Sequence, residues 1–195
     1  MSKFNKTKLI AIFSELGTQL SNPNEKLLEI INNERQYNAW FTPESVLKAI
    51  GATANMLNQH DLTKWLSKYS FNENAVSKKV GLILAGNIPL VGLHDVLCVL
   101  ITGNIALIKA SSQDARLIKF VLQMLVDIES SFKDRYHFVE RLENFDAIIA
   151  TGSNNTSRYF EYYFGKVPNI IRKNRNSVGL LTGNETKEQL FELGH

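Results

Sequence analysis

Apolar residues recur at helical spacing through the first third of the chain, then gather into short unbroken runs. Leu9, Ile12 or Phe13, Leu16 and Leu20 fall on one stripe of a helix, and Ser21-Asn22-Pro23-Asn24 breaks it. A second helical run extends from Glu25 to about Glu34. Thr42-Pro43-Glu44 reads as a helix start, with Thr42 as N-cap, Pro43 at the first helical position and Glu44 facing the positive end of the dipole. Val46, Leu47, Ile50, Ala54 and Leu57 then repeat at helical spacing, and Leu62, Trp65 and Leu66 mark one more short helix. The polar stretch Phe71-Asn72-Glu73-Asn74 reads as a linker.

From Val80 the pattern changes. VGLILA is an apolar run of strand length, the kind buried on both faces of a parallel sheet. Pro89 stands where a helix can start and Gly103 where it can stop, and IALIKA (Ile105–Ala110) is the next strand. This is a βαβ unit, expected to cross over right-handed. A helix follows with Leu117, Phe120, Val121, Leu125 and Val126 on its apolar side. Tyr136–Val139 and Asp146–Ala150 read as strands, TGSNNTSRYFEYYF as a turn into a helix, NSVGLLTG as a last strand and Lys187–Leu193 as a last helix.

The pattern predicts an α/β protein with a doubly wound, Rossmann-like sheet, preceded by a helical segment. Residues 1–75 form the helical part and residues 76–195 the α/β domain. The final FELGH lies within an apparent helix with Gly194 as a candidate C-cap, and the reading favours truncation before a further domain.

Composition narrows the function classes. In 195 residues, 44% hydrophobic content and 21% charge describe an ordinary globular chain with enough length for a core. The net charge of +3 is spread along the chain without a dense Lys/Arg run, which argues against a nucleic-acid partner. No apolar run approaches the roughly 20 residues of a membrane span, and MSKFNKTKLIAIFSELG has no cleavage site of the signal-peptide kind. A single cysteine forms no internal disulfide, which fits a cytoplasmic location.

Three places on the α/β part suggest chemistry. Thr151-Gly152-Ser153 joins a strand to a helix, where unpaired N–H groups attract an anion; an ordinary helix capped by Ser153 or Asn154 gives the same pattern. Lys109 ends an apolar strand, where ligands of open α/β sheets sit, or it is a snorkelling surface lysine. Asn87, after VGLILAG, is placed to donate to a developing negative oxygen, or it is a turn residue. Gly86 and Gly92 do not make a GxGxxG fingerprint. His94 and Cys98 share a helix face, but VLCVLI around the thiol favours a buried, inert cysteine. His60, His94, His137 and His195 show no metal-ligand spacing, so no metal is expected. The aromatic cluster Tyr159, Phe160, Tyr162, Tyr163 and Phe164 reads as packing rather than as a nucleic-acid platform.

Taken together, GNIPL, GNIALIKASS and ATGS, in that order, resemble the cofactor domain of the aldehyde dehydrogenase superfamily. NAWFTPESV, GNIPLVGLHDVLCVLITGN, IATGSNNTSRYFEYYF and RKNRNSVGLLTG resemble more closely the acyl-CoA reductases, the LuxC-like fatty acid reductases and their relatives. The resemblance runs from about Asn38 onward. It implies reduction of a fatty acyl-CoA thioester to an aldehyde by a reduced nicotinamide, usually NADPH, through a cysteine thiolate. Asn87 matches the oxyanion asparagine, and losing one such donor raises a barrier by on the order of 3 kcal/mol. Lys109, followed by Ser111 and Ser112, matches the segment that holds the adenosine ribose. Thr151, Gly152 and Ser153 match the pyrophosphate turn.

Two departures from the pattern carry expectations. Many NAD-using relatives have a glutamate where Ser112 stands; without a carboxylate to repel a 2′-phosphate, NADPH is favoured over NADH. Hydrolytic relatives have a glutamate base in an ELGGK-type segment, whereas IIRKNRNSVG holds no acid, which suits transfer to CoA rather than to water. The family's nucleophilic cysteine lies in a later catalytic domain and Cys98 does not match it, so the chain is expected to bind cofactor without reducing thioesters alone. The alternative is a non-catalytic nucleotide-binding or assembly module. Superfamily members commonly form dimers or tetramers, which makes a homo-oligomer an expectation.

Overall fold

The computed structural model describes residues 5–70, 75–173 and 178–193; the linker assigned to Phe71–Asn74 and the cap assigned to Gly194 lie outside them. Four helices come first: α1 (Lys6–Ser21), α2 (Glu25–Asn33), α3 (Pro43–Met56) and α4 (Gln59–Ser67). Each begins on a side chain that accepts from an otherwise unpaired N–H: Asn5 from Lys8, Asn24 from Leu27, Thr42 from Ser45 and Asn58 from Asp61. The α/β part runs β1 (Lys79–Ile83), α5 (Leu93–Ile101), β2 (Ile105–Lys109), α6 (Ala115–Ile128), β3 (Tyr136–Phe138), β4 (Ala147–Thr151), α7 (Asn154–Phe164) and β5 (Asn169–Arg172). The exposed helix α8 (Lys187–Leu193) follows.

The five strands form one parallel sheet in the order β3-β2-β1-β4-β5. Residues paired across neighbouring parallel strands share a face, and side chains alternate between faces along each strand. Val80 and Leu82 of β1, with Ala106 and Ile108 of β2, therefore point to the same side. There they join one continuous core with Phe13 and Leu16 of α1, Ile50 of α3, Leu66 of α4, Val96 and Leu100 of α5, and Val121 and Leu125 of α6. The N-terminal helices thus stack on α5 and α6 rather than standing apart. Phe13 meets Phe132 edge-on at 5.7 Å, and Lys8 reaches Glu129 at 2.6 Å across the same junction.

Three expectations are corrected. Pro89 does not open a helix: two consecutive turns (Val91 N–H to Ile88 O, Leu93 N–H to Leu90 O) intervene, Leu90 has φ +59°, and α5 begins at Leu93. That left-handed residue is incompatible with a helix running on from the proline. NSVGLLTG forms no strand over its described residues, 178–183, and residues 176–177 lie outside the described set. The last strand is β5, upstream, where Ile170 and Ile171 sit on the sheet's outer edge. Cys98, finally, is half-buried rather than sealed in the core, because α5 ends the covered part of the sheet and its flank is open towards β4 and β5. Among the described residues, no helix is long and apolar enough to cross a membrane.

Candidate functional site

Strand order reverses at β1, which has β2 on one side and β4 on the other. In an open parallel sheet, that reversal leaves a crevice beyond the carboxyl ends of the two central strands. Asn87 follows β1, Lys109 ends β2, Ser111 and Ser112 follow it, and Thr151 ends β4 with Gly152 and Ser153 after it. All the sequence-derived candidates therefore lie along one edge of the sheet.

Close packing fixes the loops there. Leu84 N–H donates to Lys109 O at 3.1 Å, tying the first loop to the second. Ser111 fills the space beside Gly86, leaving no room for a side chain at that position. Gly92 lets the start of α5 rest on Leu84, since a Cβ there would come within 2.8 Å of the Leu84 Cβ. Asn87 is left exposed at the apex. After β4, Gly152 N–H donates to Arg172 O at 3.1 Å, and Ser153 caps α7 by accepting from Thr156 N–H at 3.2 Å. A Cβ at Gly152 would meet Phe160 at 2.9 Å, so this glycine is required for helix-on-strand packing whatever else it does.

The edge has two sides. Lys109 pairs with Ile83, which pairs with Ala150, so these three share one face. The Lys109 side chain lines a groove of about 370 Å³ there, with Arg141, Phe145, Tyr163 and Phe164 among its walls. Asn87, Ser112 and Ser153 do not line that groove.

On the opposite face lies a cluster that sequence reasoning did not find. Arg172, at the end of β5, donates to Asp95 in the first turn of α5, and His94 Nδ1 approaches the same carboxylate at 3.4 Å. Burial acts to raise the Asp95 carboxyl, but the hydrogen bonds and charges of His94 and Arg172 outweigh it and hold the group below the usual aspartate range. Asp95 in turn, then Cys98, raises His94 to about 10. Asp95 is the single acid of the apolar helix LHDVLCVLI, and a buried acid requires a partner; that was the available signal.

Cys98 Sγ lies 3.7 Å from His94 Nε2. The thiol borders an apolar cavity of about 300 Å³ between α1, α4 and α5, and a second hollow lined by Val80 and Ala147 at the amino ends of β1 and β4. It is thus level with the strand beginnings, away from the edge that carries Asn87. The aromatics of α7 divide: the half-buried Phe160 and Phe164 pack together at 5.9 Å, while Tyr159, Tyr162 and Tyr163 face outward. No group of His, Cys, Asp or Glu among the described residues is arranged to hold a metal ion.

The family model for acyl-CoA reductase (LuxC) matches residues 18–162. The chain belongs to that family. Its fold resembles aldehyde dehydrogenase 21 from Physcomitrella patens in complex with succinate (TM-score 0.69, 14% identity), covering 89% of this chain and 41% of that one. It also resembles the glyceraldehyde-3-phosphate dehydrogenase GapN from Methanocaldococcus jannaschii complexed with NADP (TM-score 0.63, 15% identity, 88% of this chain and 42% of that one). Proline utilization A from Corynebacterium freiburgense is a third (TM-score 0.59, 16% identity, 89% of this chain and 19% of that one). This LuxC-family chain therefore spans less than half the length of these structures, and at such identities they show the aldehyde dehydrogenase-like fold. No curated protein sequence matches it.

Proposed function

We propose that the chain is the cofactor-binding part of an NADPH-dependent acyl-CoA reductase, which converts a fatty acyl-CoA thioester to the aldehyde. The observation that carries this reading is the convergence of the loops after β1, β2 and β4 on one sheet edge at the point of strand reversal. The donor set there fits a dinucleotide: a lysine without an acidic partner among the described residues, a hydroxyl-capped helix start, and glycines where backbone must come close. The NADP held by the GapN neighbour supports the same reading.

In this reading the bound nicotinamide supplies hydride, and the chain's residues hold and polarise. The first N–H groups of α7 and the Ser153 hydroxyl take the pyrophosphate, and Lys109 takes the ribose and phosphate end. The exposed Asn87 amide donates to the thioester oxygen as it becomes negative. Cys98 is not the nucleophile, because it lies towards the opposite end of the strands from Asn87. The chain then binds cofactor and leaves thioesters unreduced by itself.

Calorimetric titration of the chain with NADPH and NADH tests the reading. Saturable binding with NADPH preferred, weakened for both by Lys109→Ala, is expected. A folded chain that binds neither overturns it, and steady NADPH oxidation with a long-chain acyl-CoA overturns the assignment of Cys98.

A further inference from the structure

We propose that Asp114 is a positioning residue: with Glu34 it forms a buried acid pair that holds one proton beneath the turn from Gly86 to Leu90, and that proton keeps Asn87 presented at the sheet edge. The inference rests on the reading of Asn87 given above for its chemical consequence. The two acids come from distant parts of the chain. Asp114 immediately precedes α6, and Glu34 immediately follows α2. Both are 1% exposed. Neither carboxyl oxygen of Asp114 has a hydrogen-bond partner among the described residues, and nor does Glu34 Oε1. An acid left dry and unpaired favours its neutral form.

Asp114 is built into the floor of the turn. Its N–H donates to Ser111 O at 3.2 Å, which curls the loop after β2 back on itself. A Cβ at Gly86 would stand 3.5 Å from Asp114 Cβ. The Leu90 backbone is near enough to oppose the rise of the Asp114 carboxyl. Asp114 therefore meets the turn at both ends, and Asn87 stands exposed between them. Leu90 lies at φ +59°, a conformation that a leucine keeps only where its surroundings impose it. A loosened floor lets that residue relax, and Asn87 moves with it.

The charges around the pair set its resting state. The turn from Gly86 to Leu90 carries no charged side chain, and Ser111, Ser112 and Gln113 carry none. Arg116, in the first turn of α6, lies 3.5 Å from Glu34 Oε1 through Nε and is held over the Tyr37 ring at 4.1 Å. Burial raises Glu34, and Arg116 lowers it. Burial raises Asp114 to about 8, opposed by the Leu90 backbone and helped by the Glu34 charge. At neutral pH the pair thus holds one proton, on Asp114, and one negative charge, which Arg116 balances. Once the proton leaves, two carboxylates face one guanidinium in a dry site, and water must enter or a wall must move. α6 is fixed in the core, whereas the turn is exposed at Asn87, Ile88 and Val91. The turn gives way first.

The test follows the carbon NMR signals of Asn87 Cγ and the Leu90 methyls in the full chain, without ligand, from about pH 6 to about pH 10. In the wild type both are expected to move together in one step near 8. Asp114→Asn, neutral at every pH, should hold both signals at their low-pH positions, a rescue that a merely structural acid would not give. Glu34→Gln should shift the step to lower pH, because a negative neighbour is gone. Circular dichroism at each pH separates movement of the turn from unfolding. Flat wild-type signals, a step that survives Asp114→Asn, a step left in place by Glu34→Gln, or a step that coincides with unfolding each overturn the inference. No cofactor enters this readout, so a folded chain that binds neither NADPH nor NADH overturns the cofactor reading alone.

Discussion

Ser111 occupies the space that any side chain on Gly86 would need: a Cβ built there would lie 2.3 Å from Ser111 Oγ and 2.4 Å from Ser111 Cβ. The loop after β1 and the loop after β2 are therefore interlocked by an absent side chain and a short one. Gly86→Ala must push the loops apart, at a cost of about 1–3 kcal/mol. Ser111→Gly in the same chain removes the obstacle. Thermal melts of the two single variants and the double should show the alanine's cost largely recovered in the double, a coupling that independent sites would not give.

Asp114, just before α6, is buried with both carboxyl oxygens unpaired, and burial raises it to about 8; the nearby Leu90 backbone opposes this and Glu34 adds to it. The folded chain then keeps a proton that the unfolded chain releases near the ordinary value of 3.8. This group's contribution is complete below about 4 and is lost as pH rises through about 8. Denaturant melts should show stability falling across that interval, with the slope flattened in Asp114→Asn. A slope unchanged by the substitution would contradict the assignment.

The Asp95–Arg172 pair joins α5 to β5, with Asp95 side-chain exposure of 9% against 29% for Arg172. Asp95→Asn should cost about 2–4 kcal/mol, less than for a fully buried pair because the arginine retains some water. His94 reports the same change. With Asp95 present its midpoint stands near 10, so its stabilising contribution is complete below 6.5 and lost as pH rises through 10. In Asp95→Asn, the ring resonances followed by NMR should titrate closer to 6.5.

Cys98 provides a negative control. It lies past the middle of α5 and borders two hollows away from the loop that carries Asn87, so Cys98→Ala should leave NADPH affinity unchanged and shift stability by about 1 kcal/mol or less. An affinity loss would mean that the thiol lies nearer the cofactor than its position on the helix indicates.

The sequence carried the elements well where one local signal settled the matter. Thr42 caps α3 as its Thr-Pro-Glu start announced, and the unbroken apolar runs at β1 and β2 announced strands buried on both faces. It failed where tertiary context decided. Asn169–Arg172 is a short edge strand whose apolar residues are partly exposed, so it lacks the long apolar run that flagged the inner strands. VGLL had that run and no strand to pair with among the described residues. Leu90 adopts φ +59° because the turn between Gly86 and Gly92 requires it, which no local preference of leucine foretells. For the site, spacing brought Asn87, Lys109 and Gly152 to one edge. Arg172 escaped notice because it acts through a residue distant in sequence, Asp95.

The strand order β3-β2-β1-β4-β5 also constrains how the sheet is assembled during synthesis. β1 is made first and ends in the middle. β2 and β3 can add in turn to one open side, then β4 and β5 to the other, each meeting an edge already exposed. No strand has to be threaded between two that have paired. The nascent chain can thus build outward in the order in which it emerges, and the β1–β4 pairing waits only for the longest connection to arrive.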